Sequence, residues 1–171
     1  MEFRQAMTQT LAKMMQEDEK ICILDADLAK PNGTTPLYEQ FPNRCFDVGI
    51  AEANMIGIAA GLSAYGYKPI AFTFAPFATR RVCDQIAVSV AYAKQNVKIV
   101  GTDPGIAAEL NGGTHMSFED VAVLRSIPNM IIYDAVDDIQ LSQAIEQIMK
   151  LDTPVSVSYT HLRAHETDSY L

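Results

Sequence analysis

Apolar residues along the chain follow two spacings, one typical of helices and one typical of strands. In residues 2–17, Phe3, Met7, Leu11 and Met14 or Met15 recur at helical spacing, which predicts an amphipathic helix. The short apolar run of residues 21–27, ICILDAD, predicts a buried strand that ends in an acidic turn. The same criteria predict further helices over 52–65, 80–95, 117–127 and 137–151, and further strands over 44–50, 68–74, 96–101, 129–135 and from 153 onward.

The alternation of strands and helices indicates the fold class. Helices placed between successive strands predict an α/β fold, a doubly wound and mainly parallel sheet with helices on both faces. In such sheets, ligands bind in the loops beyond the carboxyl ends of the strands. We expect one domain of this kind over residues 1–156.

The composition argues against several classes of function. The chain has 171 residues, enough for one domain with a sizeable core, and its net charge of −8 argues against nucleic-acid binding, which needs basic patches. It contains no run of about 18 apolar residues, and its charged start is unlike a signal peptide, so we expect no membrane insertion. Cys22, Cys45 and Cys83 are odd in number and widely spaced. We therefore expect reduced thiols in a cytoplasmic protein, without a disulfide framework or a zinc site.

Residues 157–171, VSYTHLRAHETDSYL, break the pattern because they are polar and have no clear period. His161 and His165 have the spacing of a helical metal pair, but we assign no metal site to them. The string VSYTHLRAHET resembles one translated reading frame of a widely used transposase sequencing adapter. We therefore expect a non-native tail over 157–171, and a natural disordered C-terminus is the alternative.

Glu52 stands at the start of a helix whose other residues are mostly small or apolar. Ala53, Gly57 and Gly61 follow at four-residue spacing, a stripe that would let another backbone or helix approach closely, as at a subunit interface. Burying an ionised carboxylate without a partner costs several kcal/mol or shifts its pKa. A small gain from the helix dipole is the simplest explanation for a Glu in a first turn. A ligand that supplies the missing partner is the other explanation.

Five stretches of the chain carry a family resemblance. They are LDADLAKPN, FDVGIAEANMIGIAAGL, FTFAPFATRRVCDQI, NVKIVG and NGGTHMSFEDVAVLRSIPNM. In this order they resemble the pyrimidine-binding domain of transketolases, from about Arg4 to Pro154. The start at Met1, just ahead of the domain, is similar to the separate C-terminal subunit of split transketolases. The resemblance implies a subunit truncated to its pyrimidine domain.

The resemblance implies that Glu52 acts in thiamine diphosphate chemistry. In these enzymes a buried Glu hydrogen-bonds N1′ of the aminopyrimidine and promotes the tautomer that takes a proton from C2 of the thiazolium. A poorly solvated carboxyl group suits this task. Phe74 and Phe77 match positions that line the pyrimidine pocket, although core packing is the usual role of such residues. Arg80 stands where a third aromatic is usual, and we expect it at the cofactor too.

The substrate side of the resemblance rests on three residues. His115, in a Gly-rich loop, matches a His that contacts the donor-sugar hydroxyls and relays protons. Asn111 replaces the family's usual Asp, which reads the C2 hydroxyl of the sugar. Arg4 matches an Arg that binds the sugar phosphate, and a solvated charge on the first helix is the alternative.

The sequence also lacks a family segment. Nothing in it resembles the GDG…N segment that holds Mg²⁺ and the diphosphate in this superfamily. Asp25 and Asp27 fit the family's structural turn better than a metal site, so we expect no metal ligand in this chain. The resemblance then implies that a transketolase N-terminal subunit binds Mg²⁺ and the diphosphate, and that the isolated chain is inactive.

Three functions follow for comparison with the structure. The first is a transketolase subunit, which moves a two-carbon ketol unit between sugar phosphates in the pentose phosphate pathway as part of an oligomer. The second is a fragment of 1-deoxy-xylulose-5-phosphate synthase, which is similar over the same stretches and shares the RxxDQ of Arg81 to Gln85. The third is a non-catalytic α/β interaction module.

Overall fold

A computed structural model describes residues 2–159, which form one six-stranded sheet. Every pairing in the sheet is parallel, and the strand order is β2-β1-β3-β4-β6-β5. The strands are β1 (Ile21–Asp25), β2 (Cys45–Asp47), β3 (Lys68–Phe74), β4 (Lys98–Thr102), β5 (Ile131–Asp134) and β6 (Val155–Tyr159). The predicted doubly wound α/β fold is confirmed.

Eight α-helices and three other helical segments accompany the strands within residues 2–159. The α-helices are α1 (Phe3–Glu17), α2 (Ala29–Asn32), α3 (Thr35–Gln40), α4 (Glu52–Ala64), α5 (Ala75–Ala78), α6 (Cys83–Gln85), α7 (Asp120–Arg125) and α8 (Asp138–Ile148). Two 3₁₀ turns cover Arg80–Val82 and Glu109–Asn111, and a π-helical segment covers Ile86–Tyr92. Asp137 caps the start of α8, because its side chain accepts a hydrogen bond from the backbone N–H of Gln140 at 2.6 Å.

Two hydrophobic clusters cover the two faces of the sheet. On one face α1, α3 and α8 pack on alternate strand residues such as Ile23 and Phe72. On the other face α4, the π-helical segment and α7 pack on the intervening residues, such as Leu24 and Ala71. Because strand side chains alternate between faces, the nearly continuous apolar runs of the strands supply both clusters.

The helix predicted over 80–95 is more broken than its pattern indicates. Val82, Ile86 and Val90 are fully buried as expected, but Ala93 is exposed and Ala91 is buried instead. The π-helical segment explains the difference, since its wider turn shifts which residues face the sheet. The helix predicted over 117–127 is confirmed only for Asp120–Arg125.

The first residues of the predicted tail lie in the last strand. Val157, Ser158 and Tyr159 belong to β6 and pair with β4, and Val157 and Tyr159 have no exposed surface. The Tyr159 ring also stacks on Phe3 of α1, with 5.6 Å between ring centroids. Residues 157–159 therefore pack with the core, because their apolar side chains complete an inner strand. The rest of the predicted tail lies outside the described residues, and its non-native origin stays a prediction.

Two other findings concern the predicted environment of the chain. Within residues 2–159, no helix combines the length and the apolar character that a membrane span requires. Cys22, Cys45 and Cys83 are all free thiols. Burial raises the pKa of both Cys22 and Cys45 to about 12, which keeps these two thiols protonated at neutral pH.

Candidate active site at the carboxyl edge of the sheet

Three strands, β2, β3 and β4, deliver the predicted site residues to one edge of the sheet. Glu52 follows β2 and opens α4, Phe74 ends β3, and Phe77 lies in the short α5 that follows. His115 lies in the loop after β4. Since the strands are parallel, their carboxyl ends meet at this edge, as expected for a doubly wound sheet.

Glu52 is buried, with 4% of its surface exposed, and it forms an ion pair. Arg81 Nη1 donates a hydrogen bond to Glu52 Oε1 at 2.7 Å. The family resemblance implies a cofactor nitrogen as the partner of Glu52. In the structure, Arg81 holds this position. A buried carboxylate with a guanidinium partner avoids most of the cost of an isolated buried charge.

Phe74, Phe77 and His115 form an aromatic wall beside this ion pair. The His115 ring is 5.0 Å from the Phe77 ring and 6.0 Å from the Phe74 ring, both in edge-on geometry. The Phe74 and Phe77 centroids are 6.3 Å apart. The guanidinium carbon of Arg81 lies 3.7 Å from the Phe77 centroid, so Arg81 connects the wall to Glu52. We call Glu52, Arg81 and these three aromatic residues the candidate site.

A glycine in β4 sets the position of the wall. A Cβ on Gly101 would lie 3.1 Å from Cα of Ala75 and 3.4 Å from Cβ of Ala78. The absence of a side chain at Gly101 lets α5 pack directly against the backbone of β4. This packing positions Phe77 at the end of β3. The Thr79 hydroxyl donates to the Ala75 carbonyl at 2.7 Å and closes the short helix.

Backbone hydrogen bonds close the loop that carries His115, and the Arg80 side chain binds it from outside. Gly105 and Ser117 exchange backbone hydrogen bonds of 2.7 and 3.3 Å, which makes residues 105–117 a closed loop. Arg80 donates to Glu119 Oε1 at 2.6 Å and to the Thr114 carbonyl at 2.9 Å. The structure thus places Arg80 against this loop, while its neighbour Arg81 contacts Glu52 and Phe77. The assignment of Arg80 to the cofactor stays a prediction.

The predicted sugar-binding residues lie in two different places. Asn111 is exposed at the end of a 3₁₀ turn in the His115 loop. Arg4 lies on α1, and its Nη2 donates to the two Asp103 carboxylate oxygens at 3.0 and 3.3 Å. Burial raises the pKa of Asp103, and the adjacent Arg4 opposes that rise. Arg4 is therefore an ion-pair partner at the end of β4, and its phosphate-binding role stays a prediction.

A buried polar network beneath the edge was not found from the sequence. The fully buried Asp25 accepts hydrogen bonds from Asn32 Nδ2 and Thr34 Oγ1, both at 2.8 Å, and from the Tyr38 hydroxyl at 3.2 Å. Thr102 at the end of β4 donates to Asn32 Oδ1 at 2.9 Å. The network joins residues far apart in sequence, and only the Asp25–Asp27 turn hinted at it. Because three side chains of the same chain donate hydrogen bonds to the Asp25 carboxylate, we assign this residue a structural role.

The candidate site combines a buried hydrogen-bonding carboxylate with an aromatic face. A buried carboxylate next to a Phe face accepts a flat, nitrogen-containing ring, because the ring can stack and hydrogen-bond at the same time. Within residues 2–159, no group of three or more His, Cys, Asp and Glu side chains is arranged to hold a metal ion. The candidate site is thus suited to a flat ring that carries a hydrogen-bonding nitrogen.

The family model for the transketolase pyrimidine-binding domain matches residues 1–164. The chain belongs to this family. It is 51% identical over 166 residues to the 6-deoxy-6-sulfo-D-fructose transketolase subunit SqwH of Clostridium sp. strain MSTE9, covering 97% of the chain and 52% of that protein. It is 39% identical to a putative transketolase C-terminal section of Methanocaldococcus jannaschii, covering 90% of the chain and 49% of that protein.

Solved structures agree with the family assignment. The solved structure of a split-gene transketolase, described as an "inactive beta4 tetramer", superposes with a TM-score of 0.83. The two sequences are 38% identical, and the match covers 94% of this chain and 52% of that one. The chain thus spans about half the length of these transketolase relatives.

A 1-deoxy-D-xylulose-5-phosphate synthase of Caldanaerobacter subterraneus is a more distant relative, with 36% identity over 93% of the chain and 25% of that protein.

Proposed function

We propose that the chain supplies the aminopyrimidine side of a thiamine diphosphate site in a transketolase, which moves a two-carbon ketol unit between sugar phosphates. The observation that carries this proposal is the pairing of a buried carboxylate, Glu52, with a planar cation that stacks on Phe77. Family membership and the split-transketolase relatives support it. The non-catalytic interaction module has no comparable support.

Each residue of the candidate site has a defined task under this proposal. Thiamine diphosphate, when bound, supplies an acidic C2–H and the reactivity toward a ketose carbonyl. Glu52 would share a proton with ring nitrogen N1′, and Phe74 and Phe77 would give the ring an apolar face. Thr114 Oγ1 engages His115 Nδ1 at 2.9 Å, so Nε2 is the nitrogen that we assign to proton transfer with sugar hydroxyls.

The diphosphate and Mg²⁺ are assigned to a partner subunit. The sequence has no GDG…N segment, and the candidate site consists of a ring-binding carboxylate and aromatics. Such a division of one cofactor between two chains makes assembly a condition for activity. The partner we propose is a transketolase N-terminal subunit.

The substrate class includes a sugar with an anionic group at its far end. We assign Arg4 to the anionic group. We assign Asn111, four positions before His115 on the same closed loop, to the C2 hydroxyl of the sugar. The name of the Clostridium relative points to a sulfonate at this end of the sugar, as an alternative to a phosphate. A sulfonate carries one negative charge and three acceptor oxygens, so an Arg side chain suits both groups.

Synthase activity is the second candidate, favoured by the 36% identity to a deoxyxylulose-phosphate synthase and by Arg80 in place of the third aromatic. The neighbouring genes separate the two candidates. An adjacent reading frame that encodes a GDG…N segment favours the split transketolase. A single long reading frame that continues on both sides of this domain favours the synthase.

Calorimetry tests the shared cofactor site. We expect the chain alone to give no heat of binding with thiamine diphosphate and Mg²⁺, and the chain with its N-terminal subunit to bind. The assembled enzyme should then transfer a ketol unit from a ketose phosphate, or from its 6-deoxy-6-sulfo analogue, to an aldose phosphate. Tight binding by the chain alone would contradict the split site.

A further inference from the structure

Arg81 occupies both surfaces that a cofactor ring would use. Its Nη1 donates to Glu52 Oε1 at 2.7 Å, and its guanidinium carbon is 3.7 Å from the Phe77 ring centroid. A guanidinium is flat, donates hydrogen bonds from its edge and stacks on aromatic faces. These are also the properties of an aminopyrimidine ring. The same position therefore suits either group, but not both at once.

The two members of the ion pair differ in their freedom to move. The Glu52 side chain is 4% exposed and begins a helix, whereas the Arg81 side chain is 42% exposed. Arg81 also lies in a short 3₁₀ turn that is held on one side by the fully buried Val82 and on the other by the Arg80–Glu119 pair. The Arg81 side chain can therefore rotate into solvent while its backbone stays in place.

We propose that Arg81 is a placeholder, which neutralises Glu52 and covers Phe77 until the cofactor ring binds and displaces it. This proposal rests on the proposed function. Without the Arg81 guanidinium, the buried Glu52 carboxylate would lack a counter-charge, a costly arrangement. The cofactor therefore has to compete with Arg81 for Glu52.

The competition predicts the direction of a mutational effect. The apparent dissociation constant equals the intrinsic one divided by the fraction of sites that are free to bind. Removing the guanidinium should therefore tighten cofactor binding, by about three- to thirty-fold for a partly exposed ion pair plus one cation–π contact. A residue that held the bound cofactor would have the opposite effect.

The first test examines Arg81 in the free chain. In arginine-labelled protein, NMR should show one guanidinium with slowed exchange and a ring-current shift, and Arg81→Lys identifies it. We expect this signal to be lost in Glu52→Gln and in Phe77→Leu, and to persist in a control, Arg125→Lys, on the exposed end of α7. A free, solvent-like Arg81 signal in the wild-type chain would overturn the placeholder whatever the function of the protein.

The second test measures cofactor affinity in the complex with the N-terminal subunit. Calorimetry with thiamine diphosphate and Mg²⁺ compares wild type with Arg81→Met, Arg81→Lys and Arg125→Met. We expect tighter binding for Arg81→Met, an intermediate affinity for Arg81→Lys and no change for Arg125→Met. Unchanged or weaker binding in both Arg81 variants overturns the placeholder but leaves the proposed function intact. Absence of binding in every protein, wild type included, overturns the proposed function and with it the placeholder.

Discussion

Replacing Asp25 with Asn should change how the stability of the domain depends on pH. Burial raises the pKa of Asp25 from 3.8 to about 6, against the effect of the Asn32, Thr34 and Tyr38 donors. Because the folded carboxyl group keeps its proton to a higher pH than the unfolded one, the folded state binds more protons between about pH 4 and about pH 6. The contribution of Asp25 to the free energy of unfolding therefore falls as the pH rises through this window.

The shift sets the size of the effect. A rise of about two pKa units corresponds to about 3 kcal/mol in full, of which about 2 kcal/mol falls between about pH 4.5 and about pH 7.5. Asn keeps the shape of the side chain but cannot titrate. Its amide N–H₂ group would face the hydrogen-bond donors of Asn32, Thr34 and Tyr38. Asp25→Asn should therefore also lower the free energy of unfolding by about 1–3 kcal/mol at every pH. This constant cost does not affect the slope.

Urea unfolding followed by circular dichroism measures both quantities. We expect the free energy of unfolding of wild type, minus that of Asp25→Asn, to fall by about 2 kcal/mol from about pH 4.5 to about pH 7.5. Asp84→Asn, which removes an exposed carboxylate, is the matched control and should run parallel to wild type. If the difference between wild type and Asp25→Asn were the same at every pH, the raised pKa of Asp25 would be refuted.

Three further predictions concern the fold and the end of the chain. Gly101→Ala should destabilise the domain by about 1–3 kcal/mol in urea unfolding, because its Cβ would meet the Ala75 backbone at 3.1 Å, and wild-type stability would contradict this packing. Asp137→Ala should cost about 1 kcal/mol through the lost N-cap of α8, whereas Asp137→Asn should retain most of it. An independent, adapter-free read of the gene should continue differently after about Ser156, and identical codons would show the tail to be natural.

The fold was predictable because its strands are short apolar runs with clear ends. Lys68–Phe74 was predicted with the bounds of β3, since Gly66 precedes the apolar run and Pro76 follows it. The π-helical segment was not predictable, because its residues keep an apolar period that also fits an α-helix. Likewise, the tail was predicted to begin at Val157 because the adapter-like string begins there, whereas β6 continues to Tyr159.

The candidate site was predictable only in part. Glu52 was identified because a carboxylate before an apolar helix start is unusual, and the structure confirms its burial. The roles of Arg80 and Arg81 could not be separated, since adjacent residues in a 3₁₀ turn point in directions that periodicity does not reveal. The Asp25 network joins positions as far apart as Asn32 and Thr102, and only the folded chain brings them together.

The most direct test of the central claim follows C2–H exchange of bound thiamine diphosphate by NMR in D₂O. It compares the assembled wild-type enzyme with its Glu52→Gln variant, which keeps the shape and one hydrogen-bonding oxygen but cannot hold the shared proton. Glu146→Gln, exposed on α8, is the control. If Glu52 tunes the cofactor ring, exchange should slow by roughly 10²-fold or more in Glu52→Gln, with only a modest change in cofactor affinity. An exchange rate equal to that of wild type in fully loaded Glu52→Gln would contradict the role of Glu52 and the proposed site with it.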